Sequence, residues 1–180
     1  RHLAGEISQQ WAELGEDTAN TIVTDKQSLI SLSCQLVEYL MKHNAEADAC
    51  DLLMEIEQLE LLNKYVTADT YQRVCLYLTS CVPYVPDPEN TRTLHVALQL
   101  FRKFDQYPQA LRIAMQLQDN SLIQDIFFKC PDKSIQKQLA YMLARQGVFL
   151  ELNEDDHGDM VEIINNTDLN TNFLSLAREL

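Results

Sequence analysis

Apolar residues recur every three or four positions along most of this chain, the spacing of one helix face after another. A first helix is predicted over about Leu3 to Leu14 and carries Trp11. The polar stretch Gly15 to Lys26 has no periodicity and reads as a loop. From Ser28 to His43, the residues Leu29, Leu32, Leu36 and Leu40 make one apolar stripe. Asn44 is placed to cap the next helix, whose face carries Ala49, Leu52, Leu53, Ile56 and Leu59. A connection this short turns the second helix back antiparallel to the first.

Further on, Thr67 is the expected cap of a helix with the stripe Tyr71, Val74, Cys75, Leu78 and Val82. The segment Pro83-Tyr84-Val85-Pro86-Asp87-Pro88 cannot continue a helix, because proline lacks the amide donor and clashes with the preceding turn. It is expected to be a stiff, extended connector. Three helices then follow closely. Leu94, Ala97, Leu98, Phe101 and Phe104 stripe the first. Pro108 suits the first position of the second, which carries Ala110, Ile113, Ala114 and Leu117. Asp119 or Asn120 can cap the third, with Leu122, Ile123, Ile126 and Phe127 facing inward and Pro131 ending it. Ser134 to Gln146 carries Ile135, Leu139, Met142 and Leu143, and Gly147 suits a left-handed C-terminal cap. Phe149 to Asp159 is acidic and patternless. Two short helices, about Met160 to Asn165 and Asn172 to Leu180, close the chain, with Asn170 or Thr171 capping the last.

The prediction is an all-α fold: an irregular α-α superhelix of antiparallel helix hairpins, occupying residues 1–180 as one helical domain. Loops fall near 15–26, 83–90 and 148–159. The spacing Phe104, Ala110, Leu117 is similar to that of tetratricopeptide hairpins, but the full signature is missing. The chain starts on Arg1 and the pattern from Phe173 to Leu180 stops without a cap, so the natural protein is expected to continue past both ends.

Composition sharpens this picture. Four glycines and five prolines in 180 residues are few for the turns of a sheet protein. The net charge of −13 argues against nucleic acid and anionic membrane surfaces, which attract basic patches. No apolar run is long enough to span a bilayer, and no leader pattern opens the sequence. The cysteines, Cys34, Cys50, Cys75, Cys81 and Cys130, are odd in number and lie in apolar helical patterns. They read as buried, reduced thiols of a cytosolic or nuclear protein.

No motif carries chemistry. His2, His43, His95 and His157 are far apart and unpaired with CxxC, so zinc ligation is not expected. Asn153, Asp155, His157 and Gly158 match early positions of a calcium loop, but Ile164 stands where a bidentate glutamate is needed. There is no nucleophile elbow and no phosphate-cradling glycine loop. Glu55 and Glu57 lie roughly 200° apart on a helix, and Asp155 and Asp156 fall in the acidic loop, so neither pair reads as an acid–base couple in a pocket. No catalytic, cofactor-binding or metal-binding residue is assigned, and no cofactor. Phe101, Phe104, Phe127 and Phe128 read as core; Phe104 to Tyr107 and Tyr84–Val85 are the alternative exposed anchors for a partner.

Several local phrases resemble a known family. They are His43-Asn44-Ala45-Glu46-Ala47-Asp48-Ala49-Cys50-Asp51-Leu52-Leu53-Met54-Glu55-Ile56-Glu57, then Val74-Cys75-Leu76-Tyr77-Leu78-Thr79-Ser80-Cys81-Val82 with Tyr84-Val85-Pro86 and Pro88-Glu89-Asn90. Others are Phe101-Arg102-Lys103-Phe104, Gly147-Val148-Phe149-Leu150-Glu151-Leu152, and Asn172-Phe173-Leu174 with Leu176-Ala177-Arg178-Glu179-Leu180. Together they are similar to the N-terminal helical region of the 26S proteasome non-ATPase regulatory subunit 2 family, the large scaffold subunits in the base of the regulatory particle. The resemblance implies a non-enzymatic scaffold, located in cytoplasm and nucleus. It implies assembly with other regulatory-particle subunits, including the ATPase ring. Through the full-length protein it implies docking of ubiquitin-like-domain shuttle factors and a deubiquitinase. In that family the main docking surfaces belong to a glycine- and alanine-rich repeat toroid that this sequence lacks, so no partner-binding residue can be carried over. The alternatives are a generic helical-repeat adaptor for an unknown protein and a hydrolase with a spatially assembled site.

Overall fold

The computed structural model describes residues 2–16, 22–152 and 154–179. It is 81% helical with no strand among the described residues, which makes the fold all-α and consistent with a helical solenoid. The chain comprises two compact units, Arg1–Phe104 and Asp105–Leu180.

The first unit contains α1 (His2–Glu16), α2 (Ile22–Lys42), α3 (Glu46–Glu55), α4 (Leu62–Tyr65), α5 (Tyr71–Cys81) and α6 (Glu89–Lys103). One-turn 3-10 segments, Leu59–Leu61 and Val82–Tyr84, precede α4 and follow α5. Helix α1 packs on α2 and α3, α3 on α5, and α5 on α6, while α4 fills the space against α2 and α6. The stripe running from α3 into the following turn is core: Ala49, Leu52, Leu53, Ile56 and Leu59 are all buried. Each large side chain of this kind contributes about 1.5–3 kcal/mol by leaving water. Lys103 at the end of α6 donates to the carbonyls of Asn63 and Val66 at 2.6 and 3.2 Å, tying down the C-terminus of α4.

The second unit contains α7 (Tyr107–Gln116), α8 (Asn120–Lys129), α9 (Lys133–Gln146), α10 (Glu154–Asn165) and α11 (Thr167–Glu179). Here α9 is central, packing against α7, α10 and α11, and α7 packs on α8. Phe127, Ile123, Ile126 and Leu139 are fully enclosed. Gln136 is buried with them and donates to the Phe127 carbonyl at 3.1 Å, so its amide is not left unmatched.

Caps are correct at two predicted places. Asp119 accepts from the amides of Ser121 and Leu122 at the start of α8. Gly147 closes α9 with φ 68. Asp132 caps α9 as well, accepting from the Ser134 amide.

Several expectations are corrected. Helix α2 begins at Ile22, so 22–26 is helix, while 17–21 and Asn153 lie outside the described residues. The buried face of α2 is Leu29, Ser33, Val37, Leu40 and Met41, and Leu32 is 38% exposed. Apolar periodicity does not reveal this face because Ser33 interrupts it; its hydroxyl donates to the Leu29 carbonyl at 2.8 Å, which makes burial tolerable. Asn44 does not cap α3. It adopts φ 56 as the left-handed residue ending α2, and the next amide, Ala45, bonds back to the Leu40 carbonyl at 3.0 Å. Thr67 starts a turn ahead of α5, its carbonyl accepting from Tyr71 at 3.0 Å. The proline connector is not wholly extended, since Val82–Tyr84 forms a 3-10 turn and α6 starts at Glu89. Pro108 occupies the second residue of α7.

The segment 148–159 is not all loop, because α10 starts at Glu154 and bends at His157, where φ is −133. Asp159 pairs with Lys137 of α9 at 2.7 Å, and Met160 is buried. Asn170 and Thr171 lie inside α11 rather than at its cap.

Candidate interaction surface

A concavity of the first unit lies where α3 ends, the chain crosses through the Leu59–Leu61 turn, and α6 begins. It encloses about 330 Å³. Its apolar wall is Met54, Leu59 and Val85. Around this wall stand five carboxylates, Asp51, Glu55, Glu57, Glu60 and Glu89, against a single guanidinium, Arg92.

Local backbone geometry brings these groups together. Helix α3 stops at Glu55, and Glu57 takes φ 58, with the Gln58 amide bonded to the Leu53 carbonyl at 2.9 Å. This left-handed corner swings Glu57 away from the helical path and lines it up beside Glu55. Helical periodicity alone places the two on opposite sides of a continuing helix, and the corner carries no glycine to announce it.

The carboxylates differ in their bonding. Asp51 accepts a hydrogen bond from the Tyr77 hydroxyl of α5. That bond, reinforced by burial, raises the phenol's pKa, because it stabilises the protonated form. Glu60 lies 3.7 Å from Arg92, both half exposed. Glu55, Glu57 and Glu89 have exposed side chains without a partner among the described residues.

The other singled-out residues are scattered. Cys50, Cys75 and Cys130 are buried, but Cys34 and Cys81 are only half-buried, contrary to the expectation for all five. Burial, with the Asp51 charge adding, pushes the Cys50 thiol up to about 12, and burial alone does the same for Cys75. Such thiols are poor nucleophiles at neutral pH. Among the described residues no three His, Cys, Asp or Glu side chains converge as a metal set, and no helix is long and apolar enough to cross a membrane.

Of the aromatic candidates, Tyr84 is 88% exposed, while Val85 lines the concavity. Phe104 stacks on Tyr71 with ring centroids 4.8 Å apart, so it belongs to the packing of α5 against α6. Phe127 is core, but its neighbour Phe128 is half exposed, its ring meeting Phe127 and His157 in edge-to-face contacts with centroids 5.6 and 5.8 Å apart.

Comparison with known proteins adds what the geometry alone does not provide. The family model described as the RPN1 N-terminal domain matches residues 1–180. The chain is 41% identical over 180 residues to the 26S proteasome regulatory subunit rpn1 of Schizosaccharomyces pombe. It is 40% identical over 181 residues to the 26S proteasome non-ATPase regulatory subunit 2 of Dictyostelium discoideum. It is 38% identical over 186 residues to the 26S proteasome non-ATPase regulatory subunit 2 homolog A of Arabidopsis thaliana. In each case the match takes in 100% of this chain but only 19–20% of the relative, so the chain spans about a fifth of their length. Family model and relatives agree over the whole chain, and it therefore belongs to the RPN1 N-terminal domain family.

Proposed function

We propose that this chain is a non-catalytic scaffold segment of the 26S proteasome regulatory particle, acting in its base in support of ubiquitin-dependent protein degradation. The observation that carries the reading is the match over every residue of the chain to proteins named as proteasome regulatory subunits. Two helical units with well-buried apolar cores accord with a structural part. In this reading the parent protein assembles with the ATPase ring and other regulatory-particle subunits. Shuttle factors with ubiquitin-like domains and a deubiquitinase dock elsewhere on its length. It works in cytoplasm and nucleus.

Affinity purification of the tagged parent protein, read by mass spectrometry, tests this. Proteasomal ATPases are expected to co-purify, and their absence overturns the reading. The same protein lacking residues 1–180 separates the contribution of this segment, and a fluorescent fusion checks both compartments.

A further inference from the structure

We propose that the concavity between the end of α3 and the start of α6 is a docking groove for a basic linear segment of another protein, one that alternates lysine or arginine with an aliphatic residue. The proposal goes beyond the scaffold reading and does not depend on it.

Two features of the groove point to such an occupant. The first is its apolar wall of Met54, Leu59 and Val85, within a volume of about 330 Å³. That volume lies at the lower end of the range for ligand pockets, enough for an aliphatic side chain and the stem of a neighbouring long one. Methionine's flexible thioether lets such a wall adapt to side chains of different shape. The second feature is charge. Five carboxylates face one guanidinium around the groove, in a chain whose net charge is −13. Glu55, Glu57 and Glu89 are without partners among the described residues. An excess of carboxylates around one groove favours a cation seated among them.

Lysine and arginine meet both demands at once. Their methylene stems lie along an apolar wall while the charged head stays at the wet rim. An acidic or phosphorylated segment is repelled, and a purely apolar one leaves the carboxylates as they were. The Tyr77 hydroxyl holds Asp51 from behind, so one carboxylate is fixed in place before any ligand arrives.

The test uses the full-length parent protein and a fluorescein-labelled peptide of repeated Leu-Lys-Leu-Arg units, followed by anisotropy. Saturable binding is expected, weakened about tenfold or more by the triple change Glu55→Gln, Glu57→Gln and Glu89→Gln. Raising NaCl from about 150 mM to about 500 mM weakens it as well. Arg92→Ala strengthens it, because the one opposing charge is removed. All four side chains are exposed, and unchanged thermal melting confirms that the variants fold. Three results overturn the proposal: equal binding by the triple variant, equal binding of a peptide in which serine replaces leucine, or no effect of Arg92→Ala. The second would mean that the carboxylates merely collect counterions. Concentration-dependent dimerisation that the triple change abolishes, without peptide binding, would assign the groove to a second copy of this chain and also overturn it.

Discussion

Arg73, in the first turn of α5, holds Glu46 at the first residue of α3: its Nε donates to the carboxylate at 3.0 Å, and a second guanidinium nitrogen donates to the same oxygen. Glu46 is nearly inaccessible to water, whereas Arg73 is half exposed. Burial by itself raises the carboxyl pKa. The Arg73 hydrogen bond, the bond to its own amide and the guanidinium charge outweigh this and hold it below the ordinary 4.5. A depressed carboxyl contributes stability that is fully present above its unfolded-state value and is lost as pH falls through the folded one. Lowering pH from about 7 to about 3.5 should therefore cost the native protein more than a Glu46→Gln variant in thermal unfolding followed by circular dichroism. At neutral pH, Glu46→Ala should lose about 1–2 kcal/mol. Equal acid sensitivity of the two proteins would show that the pair is not linked to folding.

Two leucines of α5, Leu76 and Leu78, have opposite environments. Leu78 is 0% exposed and Leu76 is 72% exposed. Leu78→Ala should destabilise by about 2–5 kcal/mol through lost burial and a cavity. Leu76→Ala should stay within about 0.5 kcal/mol. Urea unfolding of both variants measures the contrast.

Thiol labelling should report the burial pattern. Iodoacetamide under native conditions at mildly alkaline pH is expected to modify Cys34 and Cys81 before Cys50 and Cys75, whose thiols burial holds at about 12. Peptide mapping at timed intervals gives the order. Early modification of Cys50 would contradict the packing of α3 against α5.

Helix ends of the second unit provide a fourth check. Asp119→Ala removes the acceptor for two amides and should cost about 1 kcal/mol. Gly147→Ala meets no atom within 4 Å, so its cost, again about 1 kcal/mol, comes from the left-handed backbone alone. Chemical unfolding of each variant tests both values.

These elements also show what a sequence can and cannot convey. Leu52, Leu53 and Ile56 were legible as core because helical periodicity is a repeating signal. Asp119 and Gly147 were legible because each has a side-chain chemistry suited to one end of a helix. Family membership was legible from long phrases such as His43 to Glu57. The groove was not. Its key pair, Glu55 and Glu57, meets only because α3 ends between them, and the residue that turns there is itself a glutamate. The short α4 was missed for a related reason: four residues are too few to show a period. On α2, a self-bonded serine occupies a core position and shifts the apparent stripe by one residue.

Glu57 is not alone in this behaviour. Asn44, Asp105 and Gln118 also take positive φ, each just beyond the end of a helix, and Asp119 bonds back to the Ala114 carbonyl as Ala45 does to Leu40. After Asn44, Glu57 and Gln118 the path of the chain is written in main-chain hydrogen bonds from Ala45, Gln58 and Asp119 rather than in the identity of the turning residue. Spatial regularity of this sort leaves no textual period: four different positions perform one operation with three different letters beside a fourth. A search for a repeated word therefore finds none in a molecule whose grammar repeats, and the constraint at such corners falls on backbone conformation, which excludes proline and strains β-branched residues, rather than on one particular side chain.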